Sequence, residues 1–253
     1  MTERTALGDR GRGNVGKLTL MAIFAHPDDE SFAIGGTLAK YAAEGVEVVV
    51  VSATKGEGGI DDVDRAEASA LREAELRRAA AELGVSRVLF LGYPDGGLAN
   101  VGWDEAVSRI SGLLREMGPQ VVVTFGPDGI SGHPDHVAVG AWVTAAFDAV
   151  DGAEAPQSLY YVAPSLATVQ GCGVPNPSPP PPDAVGVDVE PYLEAKVRGM
   201  QAHASQDPPY GGDPRQEAET MACHEWFVLA RSDPAAESGQ HEDLFFEMGQ
   251  AGG

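Results

Sequence analysis

Apolar and polar positions alternate along the chain on two length scales: short apolar runs, and amphipathic stretches of ten residues or more between them. Residues 17–24 (KLTLMAIF) open the scheme as a buried-strand run, and the stretch from about 30 to 44, stopped by Gly45, has the period of a helix. Residues 46–52 (VEVVVVS) are almost continuously β-branched, the pattern of a strand covered on both faces. A polar loop, TKGEGGIDD, leads into a long amphipathic helix over about 63–83, ended by Gly84. Residues 87–91 predict a third strand, 103–117 a third helix, 121–125 a fourth strand and about 136–150 a fourth helix. Farther on, 159–162 and 226–230 read as strands and 191–204 as a helix. Strands alternating with helices predict βαβ units with right-handed crossovers. The fold class is therefore α/β: a Rossmann-like, mostly parallel sheet with helices on both faces.

The same pattern sets the domain organisation. Residues 17–232 form a single α/β domain, residues 1–16 are expected to form a flexible N-terminal tail, and 233–253 an acidic C-terminal tail. Inside the domain, the Pro-rich loop 174–185 contains NPSPPPPD, which lacks the amide donors of a sheet interior and reads as a stiff surface connector rather than a lid. Composition narrows the partners. With 38 Asp+Glu against 17 Lys+Arg, the chain carries a formal net charge of -21. That field repels phosphate backbones and anionic membrane surfaces, which argues against nucleic acid and membrane partners, and a strongly anionic substrate would need a local basic patch. Cys172 and Cys223 form no CxxC pattern and read as unpaired thiols of a reducing compartment. No apolar signal segment is visible at the start, and the first apolar run, 18–25, is far short of the roughly 20 residues that cross a bilayer; a cytoplasmic location is the expectation.

Two short segments carry candidate chemistry: AHPDDES (25–31) and SGHPDHVA (131–138). Each reads, by itself, equally well as a helix start, with Pro just inside and acids in the first turn. Their positions separate the two readings. Each follows directly on a predicted parallel strand and opens the next helix, so both belong at the carboxyl edge of the sheet, where open α/β folds bind ligands. Half of the six histidines lie in these two segments. His26 and Asp29 are three residues apart, as are His133 and His136, so each pair shares a face of an incipient turn. Two imidazoles and one carboxylate are the ligand set of a catalytic zinc site, and they suit iron(II) equally. Asp28 lies off the His26/Asp29 face yet beside it, the place for a general base acting on metal-activated water. One histidine of the HPDH pair completes the metal set, and the other is left to polarise a carbonyl or protonate a leaving amine.

AHPDDE after the first strand, with GHPDH at the fourth, resembles the LmbE/PIG-L family of metal-dependent N-acetylglucosaminyl deacetylases. The resemblance runs from about residue 18 to 230 and takes in TKGEGG (54–59), LREAEL (71–76), LGYPDGGL (91–98) and KVRGMQAHASQ (196–206). It implies a Rossmann-like hydrolase that removes the acetyl group from an N-acetylglucosamine-type sugar conjugate. It also implies Zn2+ as cofactor, with Fe2+ as the alternative, and, by analogy, a homo-oligomer. Position by position, it makes His26, Asp29 and His136 the metal ligands, Asp28 the general base, and His133 the group that stabilises the tetrahedral intermediate or acts as acid. Glu57, Arg72 and Asp95 fall at substrate-contacting positions of the mycothiol branch. Where that branch has an oxyanion-stabilising tyrosine, this chain has Ser131, which leaves His133 with more of that work.

Two rival functions share these residues. A thiol-conjugate amidase of the same family would use the same metal chemistry on a different substrate. A non-catalytic, metal-bound sugar-binding protein would have no need of Asp28. Outside the motifs, Arg65 shares a helix face with Arg72, and His203 reads as a packing or capping residue.

Overall fold

The computed structural model describes residues 17–152, 155–163, 180–206, 211–232 and 243–245. The expectations for residues 1–16, for 174–179 of the Pro-rich loop and for Cys172 lie outside the described residues. Strand β1 (Thr19–Phe24) is buried at all six positions and β4 (Val121–Phe125) at all five, as their nearly continuous apolar sequences require. Beside them lie β2 (Glu47–Ser52) and the edge strand β3 (Arg87–Phe90) on one flank, and β5 (Ser158–Val162) on the other. The sheet is completed by β6 (Val185–Asp188) and β7 (His224–Ser232), in the order β3-β2-β1-β4-β5-β7-β6. The first five strands are mutually parallel, whereas β7 runs antiparallel to both β5 and β6.

The helices that cover this sheet are α1 (Asp29–Ala43), α2 (Arg65–Glu82), α3 (Trp103–Met117), the one-turn α4 (Gly129–Gly132), α5 (Pro134–Asp148), α6 (Leu193–Ala202) and the short α7 (Pro214–Ala218). One layer packs α1 and α2 on α6, and the other packs α3 on α5. The chain leaves β1 toward β2 and returns to β4 on the opposite side, so the strand order reverses between β1 and β4. That reversal opens a crevice at their carboxyl ends, where β1 delivers AHPDD and β4 delivers GHPDH. Among the described residues, no helix is long and apolar enough to cross a membrane.

The elements differ from the sequence expectations mainly at their ends. Helix α5 begins at Pro134, two residues before its expected start, because His133 takes the N-cap. Strand β6 was not anticipated: VGVD is short, contains a glycine and follows a proline run. It exists because β7 offers it a partner. Residues 243–245 return to the domain, where Asp243 accepts a hydrogen bond from the Tyr41 hydroxyl and Leu244 and Phe245 are buried against the core.

Helix α1 is braced from the antiparallel edge. Its backbone leaves helical geometry at Ile34 (φ -140°, ψ 22°). Just beyond the break, the amides of Gly36 and Thr37 donate to the two carboxylate oxygens of Glu225 on β7, at 3.0 and 2.7 Å. Lys196 of α6 closes the arrangement with an ammonium 2.6 Å from Glu225, both side chains being buried. A Cβ at Gly36 would stand 2.7 Å from that of Val189, so this approach needs glycine. Truncating Glu225 to alanine strands a buried ammonium and two amides. It should cost about 3 kcal/mol or more, read as a lower urea midpoint at unchanged slope; an unaltered midpoint would contradict the bracing role.

Candidate metal centre and active site

The first strand ends at Phe24, and the chain turns through residues 25–28 into α1. Within that turn the Asp29 carboxylate accepts the His26 amide at 2.8 Å, which folds the two side chains toward each other before the helix begins. The second motif arrives from β4 through residues 126–133, and its Asp128 and His133 cap α4 and α5. Across the crevice, His136 Nε2 lies 3.3 Å from Asp29 Oδ1 and 3.3 Å from His26 Nδ1. His26, Asp29 and His136 thus present one donor atom each, all within 4.8 Å of one another.

The surroundings of this trio suit a cation. His136 Nδ1 meets the Gly129 carbonyl at 3.1 Å, so Nδ1–H donates and Nε2 is left as a lone pair facing Asp29. Its ring is stacked on Phe125, with centroids 4.1 Å apart. On the far side of His26, Nε2 lies 3.1 Å from Asp95 Oδ1 and 3.3 Å from Asp135 Oδ2, which turns Nδ1 toward the trio in the manner of a carboxylate–histidine–metal relay. Burial opposes charge on His26, but the carboxylates of Asp29 and Asp95 outweigh it and raise the imidazole to about 11. In Asp29 the same opposition resolves the other way: burial favours the acid, yet His136 and His26 hold the carboxyl below its ordinary range. Without a metal, a proton on His26 supplies the positive charge that these carboxylates favour. A divalent cation with nitrogen and oxygen ligands fits that place.

Asp28 stands beside the trio but outside it. Its backbone adopts φ 117°, unusual for a residue with a Cβ, and is held there by its own amide donating to Glu30 Oε2 at 3.1 Å. Arg72 donates to the Asp28 carboxylate at 2.9 Å, to the Gly56 carbonyl at 3.1 Å and to the Pro27 carbonyl. A Cβ at Gly56 or Gly59 would come within 2.4 or 2.3 Å of that guanidinium, so the glycines of TKGEGG make its berth. Burial, reinforced by the charge of Asp29, raises the Asp28 carboxyl to about 7 against the pull of Arg72 and His203.

His133 faces the cleft from the other wall. Its Nδ1 accepts the Asp135 amide at 3.2 Å, so the neutral ring carries its proton on Nε2. Burial, with the neighbouring His136 and His26, keeps it below its ordinary value. Of the three remaining sequence candidates, Glu57 accepts the Asp95 amide at 2.9 Å, and Asp95 accepts the Gly58 amide at 2.8 Å besides facing His26. Burial would raise Asp95, but His26 and the Gly58 amide bring it down to about 2. Glu57, Arg72 and Asp95 are therefore engaged with the protein itself. Asp95 and Arg72 line the cleft, whose volume is about 470 Å³. Ser131 is exposed on α4 and outside the cleft lining. Its neighbour Ile130 has φ 66°, a strained value for a β-branched residue, in the same loop that aims the Gly129 carbonyl at His136.

Other participants were not read from the sequence. Asp135, buried at the centre of HPDH, spends its carboxylate on the Gly96 and Leu98 amides at 2.8 and 3.0 Å and on His26. No local pattern signals that contact, which joins residues 109 apart. His203, anticipated as a packing or capping residue, is fully buried with Nε2 3.0 Å from Glu30 Oε1, and so anchors the residue that holds the Asp28 backbone. Burial disfavours its charge, but Glu30 raises it above the ordinary histidine value. That pair's contribution to stability is full below about pH 6.5 and is lost as pH rises through the raised value. His203→Ala, leaving Glu30 buried and unpaired, should lower the melting temperature by roughly 10 °C near pH 6. The deficit should narrow at alkaline pH; a deficit independent of pH would mean that packing, not the pair, is what is lost.

A doubly wound sheet with a two-histidine, one-carboxylate set and a poised acid at its switch point is the build of a metal-dependent hydrolase. The chain belongs to the PIG-L family, described as GlcNAc-PI de-N-acetylase, whose model matches residues 21–147. It is 35% identical over 269 residues to 1D-myo-inositol 2-acetamido-2-deoxy-alpha-D-glucopyranoside deacetylase of Mycobacteroides abscessus, covering 89% of this chain and 96% of that one. In fold it is similar to N,N'-diacetylchitobiose deacetylase from Pyrococcus horikoshii (TM-score 0.62, 22% identity, 85% of this chain and 84% of that chain). The 4-carboxy-2-hydroxymuconate hydratase of Pseudomonas putida shares the fold as well (TM-score 0.66, 17% identity, 88% of this chain and 100% of that chain). Fold alone therefore does not choose the reaction.

Proposed function

We propose that the protein is a metal-dependent N-deacetylase that hydrolyses the 2-acetamido group of an N-acetylglucosamine conjugate, with zinc as the ion held by His26, Asp29 and His136. The observation that carries this reading is the meeting, at one sheet edge, of that donor set with a carboxyl anchored outside it by Arg72. The names of the PIG-L family and of the Mycobacteroides relative support the acetamido sugar as substrate. The bound ion would supply Lewis-acid polarisation of the acetyl carbonyl and a nucleophilic water at neutral pH.

The remaining work falls to the chain itself. Asp28 takes the proton of the attacking water; a carboxyl near neutrality is matched to that exchange. Arg72 keeps its carboxylate oriented, and the Glu30–His203 pair keeps its backbone in the required turn. His133 offers an Nε2–H donor to the tetrahedral oxyanion from the opposite wall. Asp95 and Asp135 hold the His26 ring. Asp28, once protonated, is the nearest acid for the departing amine.

Product analysis tests the reading. The zinc-loaded protein is offered an inositol-linked N-acetylglucosamine, a chitooligosaccharide and a cysteine-amide thiol conjugate. Acetate and a sugar amine formed in equal amounts from an acetamido sugar are the expected result. Cleavage of the thiol conjugate alone would contradict it.

A further inference from the structure

Most charged groups of the cleft are already committed. Asp29 faces His26 and His136, Asp95 faces His26, and Arg72 holds Asp28. Arg65 is different. It lies at the first position of α2, is exposed, and lines the same cleft. Among the described residues no carboxylate or carbonyl accepts from it. The acids of its own loop do not take it: Asp64 spends its carboxylate capping the Ala66 and Glu67 amides, and neither Asp61 nor Asp62 comes within ion-pair distance. In a chain with 38 acids and 17 bases, an arginine in a carboxylate-lined cleft that has no ion-pair partner among the described residues stands out.

Its placement relative to the reacting end is also defined. A Cβ at Gly58 would stand 3.2 Å from Asp95 Oδ2 and 3.8 Å from Arg65 Nη2, so the guanidinium and the carboxylate that orients His26 flank one bare glycine. Gly59 lines the cleft next to it, with the Arg72 guanidinium and the Gln206 amide against the position of its Cβ. The lining of one cleft runs from His26, Asp29 and His136 past Asp95, Gly58 and Gly59 to Arg65. A sugar seated with its acetamido group at His26, Asp29 and His136 would extend its outward substituent over Gly58 and Gly59 toward Arg65.

We propose that Arg65 forms a subsite for a singly charged acidic group, a carboxylate or a phosphodiester, on the aglycone of the sugar conjugate. The chemistry follows from what guanidinium offers: several donors in a rigid fork, no acceptor, and a fixed positive charge. Such a fork is satisfied by two oxygens of one anion, bidentately. Neutral hydroxyls, which also need acceptors, find them in the cleft's carboxylates and in the Gln206 amide instead. The subsite also answers the global field, since the acidic group would otherwise approach a molecule of formal net charge -21 without a local counter-charge. This inference rests on the deacetylase reading and adds the charge class of the substrate to it.

The test compares N-acetylglucosamine glycosides that differ only in a neutral amide, a carboxylate or a phosphodiester on the aglycone. The kcat/KM of zinc-loaded wild type, Arg65→Gln and Arg65→Lys is measured at low and high salt. In parallel, calorimetry follows binding of the corresponding glucosamine products, which requires no turnover. At least one anionic member should be preferred over its neutral isostere by about tenfold, mainly through KM. That ratio should collapse toward one in Arg65→Gln, persist in part in Arg65→Lys, and shrink at high salt. Equal use of neutral and anionic members, or an Arg65→Gln variant that keeps the wild-type ratio, would overturn the subsite. Selective, Arg65-dependent binding of the anionic product without any turnover would uphold the subsite and refute the deacetylase reading. Absence of both would refute both.

Discussion

Exchanging the Asp28 carboxylate for an amide (Asp28→Asn) should lower kcat by about a thousandfold while the protein retains its metal. The substitution preserves shape, and asparagine tolerates the positive φ of this position as well as aspartate does, so the turn between β1 and α1 survives. What changes is proton affinity. An amide cannot take the proton of water, and it cannot return one to the departing amine. Because Asp28 lies outside the donor trio, metal content should remain at the wild-type level, and because Arg72 can still donate to the amide oxygen, KM should change much less than kcat. Rates measured under saturating substrate, with metal content determined on the same preparation, check both halves. Turnover within a few-fold of wild type, or loss of the metal, would remove Asp28 from the role of base.

His136→Ala should abolish both metal retention and turnover. The His136 ring is fixed by three independent contacts: stacking on Phe125, donation to the Gly129 carbonyl, and the approach of Nε2 to Asp29. His133 groups by geometry with His26 and Asp135 rather than with Asp29, so it does not complete the trio in place of His136. A graded comparison sharpens the expectation. Asp95→Asn leaves the trio intact and disturbs only the orientation of His26, so metal affinity should fall by about 10- to 100-fold rather than vanish. Equilibrium dialysis against zinc at fixed pH ranks the three proteins. If His136→Ala bound zinc as tightly as Asp95→Asn, His136 would not be a ligand.

The parts of the molecule legible in the sequence are those in which local pattern and tertiary environment ask for the same residues. Strands β1 and β4 are buried on both faces, and their nearly continuous apolar runs said so. HPDD and GHPDH could be assigned to one edge because a parallel strand precedes each, and the reversal of strand order between β1 and β4 is what brings His26 and His136 within 3.3 Å. Illegible parts depend on contacts distant in sequence. β6 owes its existence to β7, and the carboxylate of Asp135 reaches His26 across 109 positions. The same holds for Arg72. Its resemblance to a substrate-contacting position said nothing of the berth that Gly56 and Gly59 leave for it, or of the Asp28 carboxylate it holds. His203 carries no motif of its own chemistry; its role emerges only when Glu30 is seen to link it to the Asp28 amide.

The most direct measurement is a titration of metal-stripped protein with zinc, following the initial rate of amine release from an N-acetylglucosamine conjugate. The rate should start at background, rise in proportion to added zinc and stop rising at about one equivalent, the capacity of a single donor trio. Turnover by the stripped protein, or a rate that keeps rising to two equivalents, would contradict a single required ion held by His26, Asp29 and His136.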